Sequence, residues 1–454
     1  MDKSLDSLSR KTFTGTGALT AMHGSVPLAC TIRLSQLFNG RISFEIDIDE
    51  KQHRINPGRL GEFDFSGSLV DGRQLTVKGL IVENDVLHMH NFSHTWLGFL
   101  NYPGYFEIYS LANSLDFVRV TFEVTNLPLY GVGPIEIDIN GDKIKLQEVS
   151  DYKSVRHLIS ALKTGGILSN IDIVFSHPKI EEEVDKYMRE VCGLLTLSQR
   201  SHVWHTEYHL ENASGVTVKS HYEEPVFIYS RPSRPLVPVD SLESFFRISF
   251  VNFEAKIREW NLGEAQDFYI QAMALTSAWS ISLGFFTTLE TFKNAFLHQQ
   301  GYENLEFYVL PKTFKTLRIF EKVFEALCAG YDEFKALADD KKDTIQQKDD
   351  KKTERETIRS KIADINRRAY KSILRSMFQQ LGMTVDNKDL KNLVDLRNQI
   401  IHSGSPNYQK GPWKTSNDAF QWACRFGGIV EKTFLAILQY KGKFEPYDQS
   451  VIPR

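Results

Sequence analysis

The chain has little that would commit it to a membrane, a disulfide scaffold or a bound nucleotide. Only four cysteines occur in 454 residues, Cys30, Cys192, Cys328 and Cys424, all far apart and none in a CxxC pair. That spacing gives no cysteine zinc signature, and it fits reduced thiols in a cytoplasm. The first residues, MDKSLDSLSRKTF, lack the apolar stretch of a secretory signal. One uncharged run of 18 residues, Ala272 to Leu289, carries six hydroxyl residues and a glycine, so it reads as a buried core helix and not as a membrane span. No phosphate loop of the GxxxxGKS/T type occurs, and Lys163-Thr164-Gly165-Gly166 is too short and misordered to serve as one. A net charge of −3 gives no chain-wide attraction to nucleic acid, so any such binding must rest on a local patch.

What is present divides the chain into a β-rich part and a helical part, an α+β multidomain architecture. Residues 1 to 230 hold short β-rich runs at Leu28–Leu34, Ile42–Ile48, Glu62–Val70, Gln74–Val82, Tyr105–Tyr109, Phe117–Val124 and Ile135–Ile139. Turn pairs such as Asn39-Gly40, Asp71-Gly72 and Asn140-Gly141 separate several of them, which predicts an antiparallel sandwich or a curled sheet. A subdomain break near 150 is expected, followed by helices over Ser154–Lys163 and Glu181–Leu197 and a last hairpin of Val203–Leu210 with Val216–Tyr222. Residues 231 to 239 form a proline-rich linker. From 240 to 454 the periodicity is helical: Ser241 to about Trp260, a long helix from Glu264 to His298, Lys312 to Leu337, and a final one from about Asn417 to Tyr440. Between them, residues 339 to 361 carry 15 charges in 23 positions, a solvated extension without an assigned role.

One helix stands out. Asp389 to His402 reads DLKNLVDLRNQIIH, with Thr384 or Asp386 as its cap and Gly404 and Pro406 as its stop. Leu390, Leu393, Leu396, Ile400 and Ile401 share one face at about 100° per residue. Arg397 projects into that apolar stripe, where a solvated charge does not belong. Asn398 and His402, four apart, share the adjoining face. Arg200 and His205 have the same bare spacing, but in a region that reads as strand.

With its adjacent Asn398 and helical setting, Arg397-Asn398-x-x-x-His402 resembles the R-N-x-x-x-H signature of the HEPN superfamily, all-helical domains many of which are metal-independent ribonucleases. The resemblance covers roughly residues 240 to 454 and rests on a six-residue motif. It implies an RNA substrate and no cofactor. It also implies a homodimer or higher oligomer, since two motifs facing each other across a two-fold axis would supply the two proton-transfer groups that one His402 cannot. The family's habit of setting a polar or acidic residue from an earlier helix beside the motif points to Glu290. The order of a β-rich part before the helical domain is also similar to the ApeA type of bacterial anti-phage abortive-infection protein. That likeness implies cleavage of host RNA, with tRNA one candidate, once the N-terminal part meets a phage-derived trigger.

Other features carry both a functional and a plain interpretation. Arg367, Lys371 and Arg375, at i, i+4 and i+8, would suit an RNA backbone or a solvated face equally. His88, His90 and His94 form one histidine group and His202, His205 and His209 another. Neither has an H-E-x-x-H frame or cysteine partners, so no metal is expected. The rival from another class is a non-catalytic protein: a β-rich ligand-binding domain on a helical dimerisation module. A third is an antitoxin-like or nucleotidyltransferase-associated HEPN protein. The full Arg-Asn…His set argues against both, because a remnant has no reason to keep an unpaired arginine on an apolar stripe.

Overall fold

Alternation of buried and exposed side chains builds the first half of the chain. In the computed structural model, which describes residues 9–21, 28–48, 62–88, 93–110, 116–129, 131–162, 165–225, 234–301, 370–403, 415–447 and short pieces between 321 and 330, the fold is α+β. A large antiparallel sheet is followed by helices. Six strands come first: β1 (Ser9–Ala21), β2 (Leu28–Leu37), β3 (Ile42–Ile48), β4 (Glu62–Leu69), β5 (Gln74–His88) and β6 (Ser93–Tyr109). They lie in the order β3-β2-β1-β4-β5-β6, and β3 also pairs with β6, so these strands close on themselves. Closure removes two exposed strand edges. The enclosed core holds Leu34, Phe44, Phe65, Val77, Trp96 and Phe106. Gly17 faces Gly67 across β1 and β4, and a Cβ on Gly17 would lie 2.2 Å from the Ser66 carbonyl oxygen, so the strands approach too closely for any side chain there.

β6 belongs to two neighbourhoods. Residues 94–99 pair with β3 and residues 105–109 with β12 (Thr217–Glu223). From there the sheet continues through β11 (His205–Glu211), β7 (Phe117–Thr125), β10 (Ile167–Lys179), β9 (Asp142–Glu148) and β8 (Ile135–Ile139), twelve strands among the described residues. Helix α1 (Tyr152–Leu162) packs on β10, with Val155 against Ile167 and Leu168 in a small core. Helix α2 (Glu181–Gln199) lies against the sheet through Tyr187, whose ring meets Phe175 at 5.5 Å. It ends on Arg200, which has a left-handed φ of 52°.

The described residues fall into two compact units, Met1–Glu254 with Leu438–Arg454, and Ala255–Ile437. Secondary structure does change from strand to helix across the proline-rich segment, between β12 and the short 3-10 turn Val239–Ser241 that precedes α3 (Leu242–Trp260). The compact units instead part within α3. The last part of the proline-rich segment is packed: Leu236 and Val237 are fully buried, and both donate backbone N–H bonds to the Ser198 carbonyl. The end of the chain returns to this unit. Glu445 N–H donates to Leu236 O at 2.7 Å, and Arg200, buried, donates to the carbonyls of Arg234 (2.7 Å) and Glu445.

In the second unit, α4 (Leu262–Ala274) and α5 (Ala278–Gln299) form a helical hairpin. The sequence led us to expect one helix from Glu264 to His298. The break at Leu275–Ser277 has neither proline nor glycine to announce it. Gly284 makes the hairpin close, since a Cβ there would sit 2.4 Å from the Ala272 Cβ. Three of the six hydroxyls in the uncharged run are satisfied within the helix: Ser282 donates to Ala278 O, Thr287 to Leu283 O and Thr288 to Gly284 O. No helix among the described residues is long and apolar enough to cross a membrane. α6 (Tyr370–Gln380), α7 (Asn387–Ser403) and α8 (Ser416–Ile437) pack with α5, where Phe292 meets Phe434 at 4.9 Å. Tyr269 on α4 donates to the buried Glu431 on α8 at 2.6 Å. The expected helix at 312–337 lies largely, and the charged run at 339–361 wholly, outside the described residues.

Candidate active site

Asp386 starts the motif helix. Its Oδ1 accepts the backbone N–H of Lys388 at 2.7 Å and of Asp389 at 3.3 Å, which satisfies two donors the helix itself leaves open. Asp389, in the first turn, pairs with Arg425 of α8 at 2.8 Å. Leu390, Leu393 and Leu396 are buried as the periodicity predicts, and Ile400 is half-buried. These contacts fix the rotation of α7 and therefore the direction of the next residue, Arg397.

Arg397 meets α5. Its Nε donates to Glu290 Oε1 at 2.9 Å, and its Nη2 lies 2.6 Å from the same oxygen. The second oxygen of Glu290 is 2.6 Å from Lys293 Nζ, one helical turn further on. Tyr370, first residue of α6, completes the group: the Arg397 guanidinium stacks 4.5 Å from the centre of its ring, and Lys293 Nζ lies 5.4 Å from it. The Tyr370 hydroxyl is buried without a well-formed hydrogen bond. Burial, reinforced by the Glu290 carboxylate, pushes that phenol up, so it stays protonated. Arg397 Nη1 donates to the exposed Asn398 Oδ1 at 3.3 Å.

Three of the four expected site residues, Arg397, Asn398 and Glu290, are therefore together. The backbone of α7 is helical through His402, one turn beyond Asn398, and the His402 side chain lies outside the described residues. Arg397 is not unpaired, as its place on an apolar stripe led us to expect; Glu290 from a neighbouring helix supplies the counter-charge. Lys293 and Tyr370 were not foreseen as site residues. Lys293 stands three residues from Glu290 on the same face, and Tyr370 shares the buried face of Ile373, Leu374 and Met377, so both had a helical-spacing signal.

The proposed RNA-tracking stripe has another occupation. Arg375 Nη2 donates to Asn387 Oδ1 at 2.8 Å, and Lys371 Nζ reaches Asn387 O at 3.5 Å, so both brace α6 against the start of α7. Arg367 lies outside the described residues.

In the β unit the polar side chains gather on β6, β11 and β12. His221 sits between Glu107 (3.0 Å) and Glu223 (3.5 Å), and Lys219 between Glu107 (2.6 Å) and Glu181 (2.7 Å). Burial works against the charge on Glu107, but hydrogen bonds from His221, Lys219 and Tyr109 outweigh it and bring the carboxyl down to about 2. Burial likewise opposes the His221 charge, and the bonds to Glu107 and Glu223 outweigh it, so His221 is raised. Of the second histidine group, His205 pairs with Glu223 at 3.1 Å and His209 bonds Ser220 Oγ at 2.8 Å. His90 lies outside the described residues, as do the side chains of His88 and His94. Among the described residues, no group of three or more histidine, cysteine or acidic side chains is placed to hold a metal ion.

Compared with known proteins, the chain matches no family model, no curated protein and no solved structure.

Proposed function

We propose that the helical unit is a metal-independent endoribonuclease of the HEPN type. It would cut host RNA in an abortive-infection response to phage, with the β unit as the part that senses the trigger or restrains the nuclease. The observation that carries this is Arg397, brought by an otherwise apolar helix face to Glu290, beside Asn398, which stands one turn before His402.

In this reaction the ribose 2′-oxygen attacks the adjacent phosphorus, its proton passes to a base, and the bond to the 5′-oxygen breaks as an acid protonates it. The products are a 2′,3′-cyclic phosphate and a 5′-hydroxyl. His402 is the proton-transfer group of each copy, and a second copy of the chain brings the other. Arg397 offers a permanently charged fork to the phosphoryl oxygens, and Asn398 orients the imidazole or donates to the scissile group. Purified protein incubated with total RNA should cut it equally well with and without EDTA and leave cyclic phosphate ends. Cleavage that needs a metal and leaves 5′-phosphates overturns this mechanism. Light scattering should give a mass of at least twice 52.1 kDa at micromolar concentration; monomer alone removes the two-copy site.

One observation favours the second reading, a non-catalytic β-rich ligand-binding domain on a helical dimerisation module. The Arg397–Glu290 pair joins α7 to α5, and an ion pair at a helix crossing needs no reaction to justify it. Total RNA left intact by a folded dimer decides for that reading.

A further inference from the structure

Two cations share one carboxylate at the crossing of α5 and α7. Arg397 takes one oxygen of Glu290 and Lys293 takes the other, and both cations lie over the ring of Tyr370. Glu290 alone would neutralise Arg397. Adding Lys293 leaves the trio with a net positive charge, in side chains less than a quarter exposed, where like charges repel more strongly than in water. An aromatic face and a shared carboxylate offset that repulsion and fix where the cations stand. Among the described residues, no other carboxylate pairs with Lys293 or Arg397, so donors remain on both: Glu290 engages only one of the three Lys293 N–H groups.

We infer that Lys293 and Arg397 form a two-cation seat for one phosphate of the RNA, with Glu290 and the ring of Tyr370 as the positioning residues that hold the pair. This rests on the nuclease proposal for the identity of the ligand, but the seat is defined by charge and geometry alone. Lys293 contributes a compact ammonium beside the planar fork of Arg397, so two faces of the phosphate are met by different cations. Glu290 is then a holder of cations, with one oxygen toward Arg397 and the other toward Lys293.

The test measures binding and not cleavage. A single-stranded all-2′-O-methyl oligoribonucleotide cannot be cut by attack of a 2′-hydroxyl, so its affinity can be followed across salt concentrations with the full-length protein. Lys293→Gln should weaken binding about tenfold at low salt and flatten the logarithmic salt slope by about 0.7, the value for one phosphate on a single strand. Lys293→Arg should restore both. Lys391→Gln, an exposed lysine on α7 outside the cluster, should change neither. Inorganic phosphate should compete with the oligonucleotide less well in Lys293→Gln than in the unsubstituted protein. An unchanged slope in Lys293→Gln overturns the seat, and so does equal loss in Lys293→Gln and Lys293→Arg, because charge is then not what matters. If the protein binds through Lys293 but cuts no RNA, the seat stands and the nuclease falls. If it cuts RNA with Lys293→Gln binding normally, only the seat falls.

Discussion

Arg397 reaches Glu290 through its Nε and one Nη and spends both on a single carboxylate oxygen. Such a contact joins two helices and at the same time orients the guanidinium. Arg397→Ala should lower RNA cleavage at least about 10²-fold and cost about 1 kcal/mol of stability. Arg397→Lys should recover much of the stability and little of the cleavage, because an ammonium lacks the fork. Cleavage rates beside denaturation midpoints separate the two effects, and a fully active Arg397→Lys would show that the fork is not required.

His402→Ala should reduce cleavage by about 10²- to 10⁴-fold, the usual contribution of a general acid or base. His205, the decoy at the same spacing from Arg200, is buried in the β unit beside Glu223. His205→Ala should leave cleavage intact and lower the stability of that unit. A folded His402→Ala protein that still cuts RNA removes the proposed site.

Tyr269→Phe removes the hydroxyl that donates to Glu431 while keeping a ring against Phe434, 5.6 Å away. Both partners are fully buried, so the carboxylate loses a donor that water cannot replace. The expected cost is about 1–3 kcal/mol, read from the denaturant midpoint of the helical unit. A midpoint shift below 0.5 kcal/mol, within the noise of about that size for surface changes, would mean that the bond contributes nothing.

The Glu107–His221 pair predicts a window of maximal stability for the β unit. Glu107 falls to about 2 from an ordinary value of 4.5, so its contribution is full above 4.5 and is lost as pH drops toward 2. His221 is raised above 6.5, so its contribution is full below 6.5 and is lost as pH climbs through the folded value. The acid limb should be worth on the order of 1–2 kcal/mol after solvent screening. Denaturation midpoints across pH 2 to 9 should show both limbs, and His221→Gln should flatten the alkaline one. An unaltered alkaline limb in His221→Gln assigns it elsewhere.

How much of this was legible depended on whether the cause was local. β3 alternates inward Ile42, Phe44, Ile46 and Ile48 with polar neighbours, and its bounds follow from the sequence. β1 was not foreseen, since Gly15, Gly17 and four threonines give it no hydrophobic alternation; it exists because β2 and β4 pair with it. The β3–β6 closure joins residues about 50 apart, and no local pattern encodes that register. The break between α4 and α5 carries no breaker residue. Around the site, the faces of α5 and α7 were readable by helical spacing, whereas the meeting of Arg397 with Glu290 depends on how those helices pack.

The β unit is built from two pieces of chain, and the second, from Leu438 onward, is made after the helical unit. Translation runs from the N-terminus at about 5–20 residues per second, so the helical unit emerges before the tail that completes the sheet unit. During that interval Arg200 lacks the Glu445 carbonyl and Leu236 lacks the Glu445 amide. A stop codon or frameshift anywhere in the helical unit is therefore also a lesion of the sheet unit, because it removes Glu445.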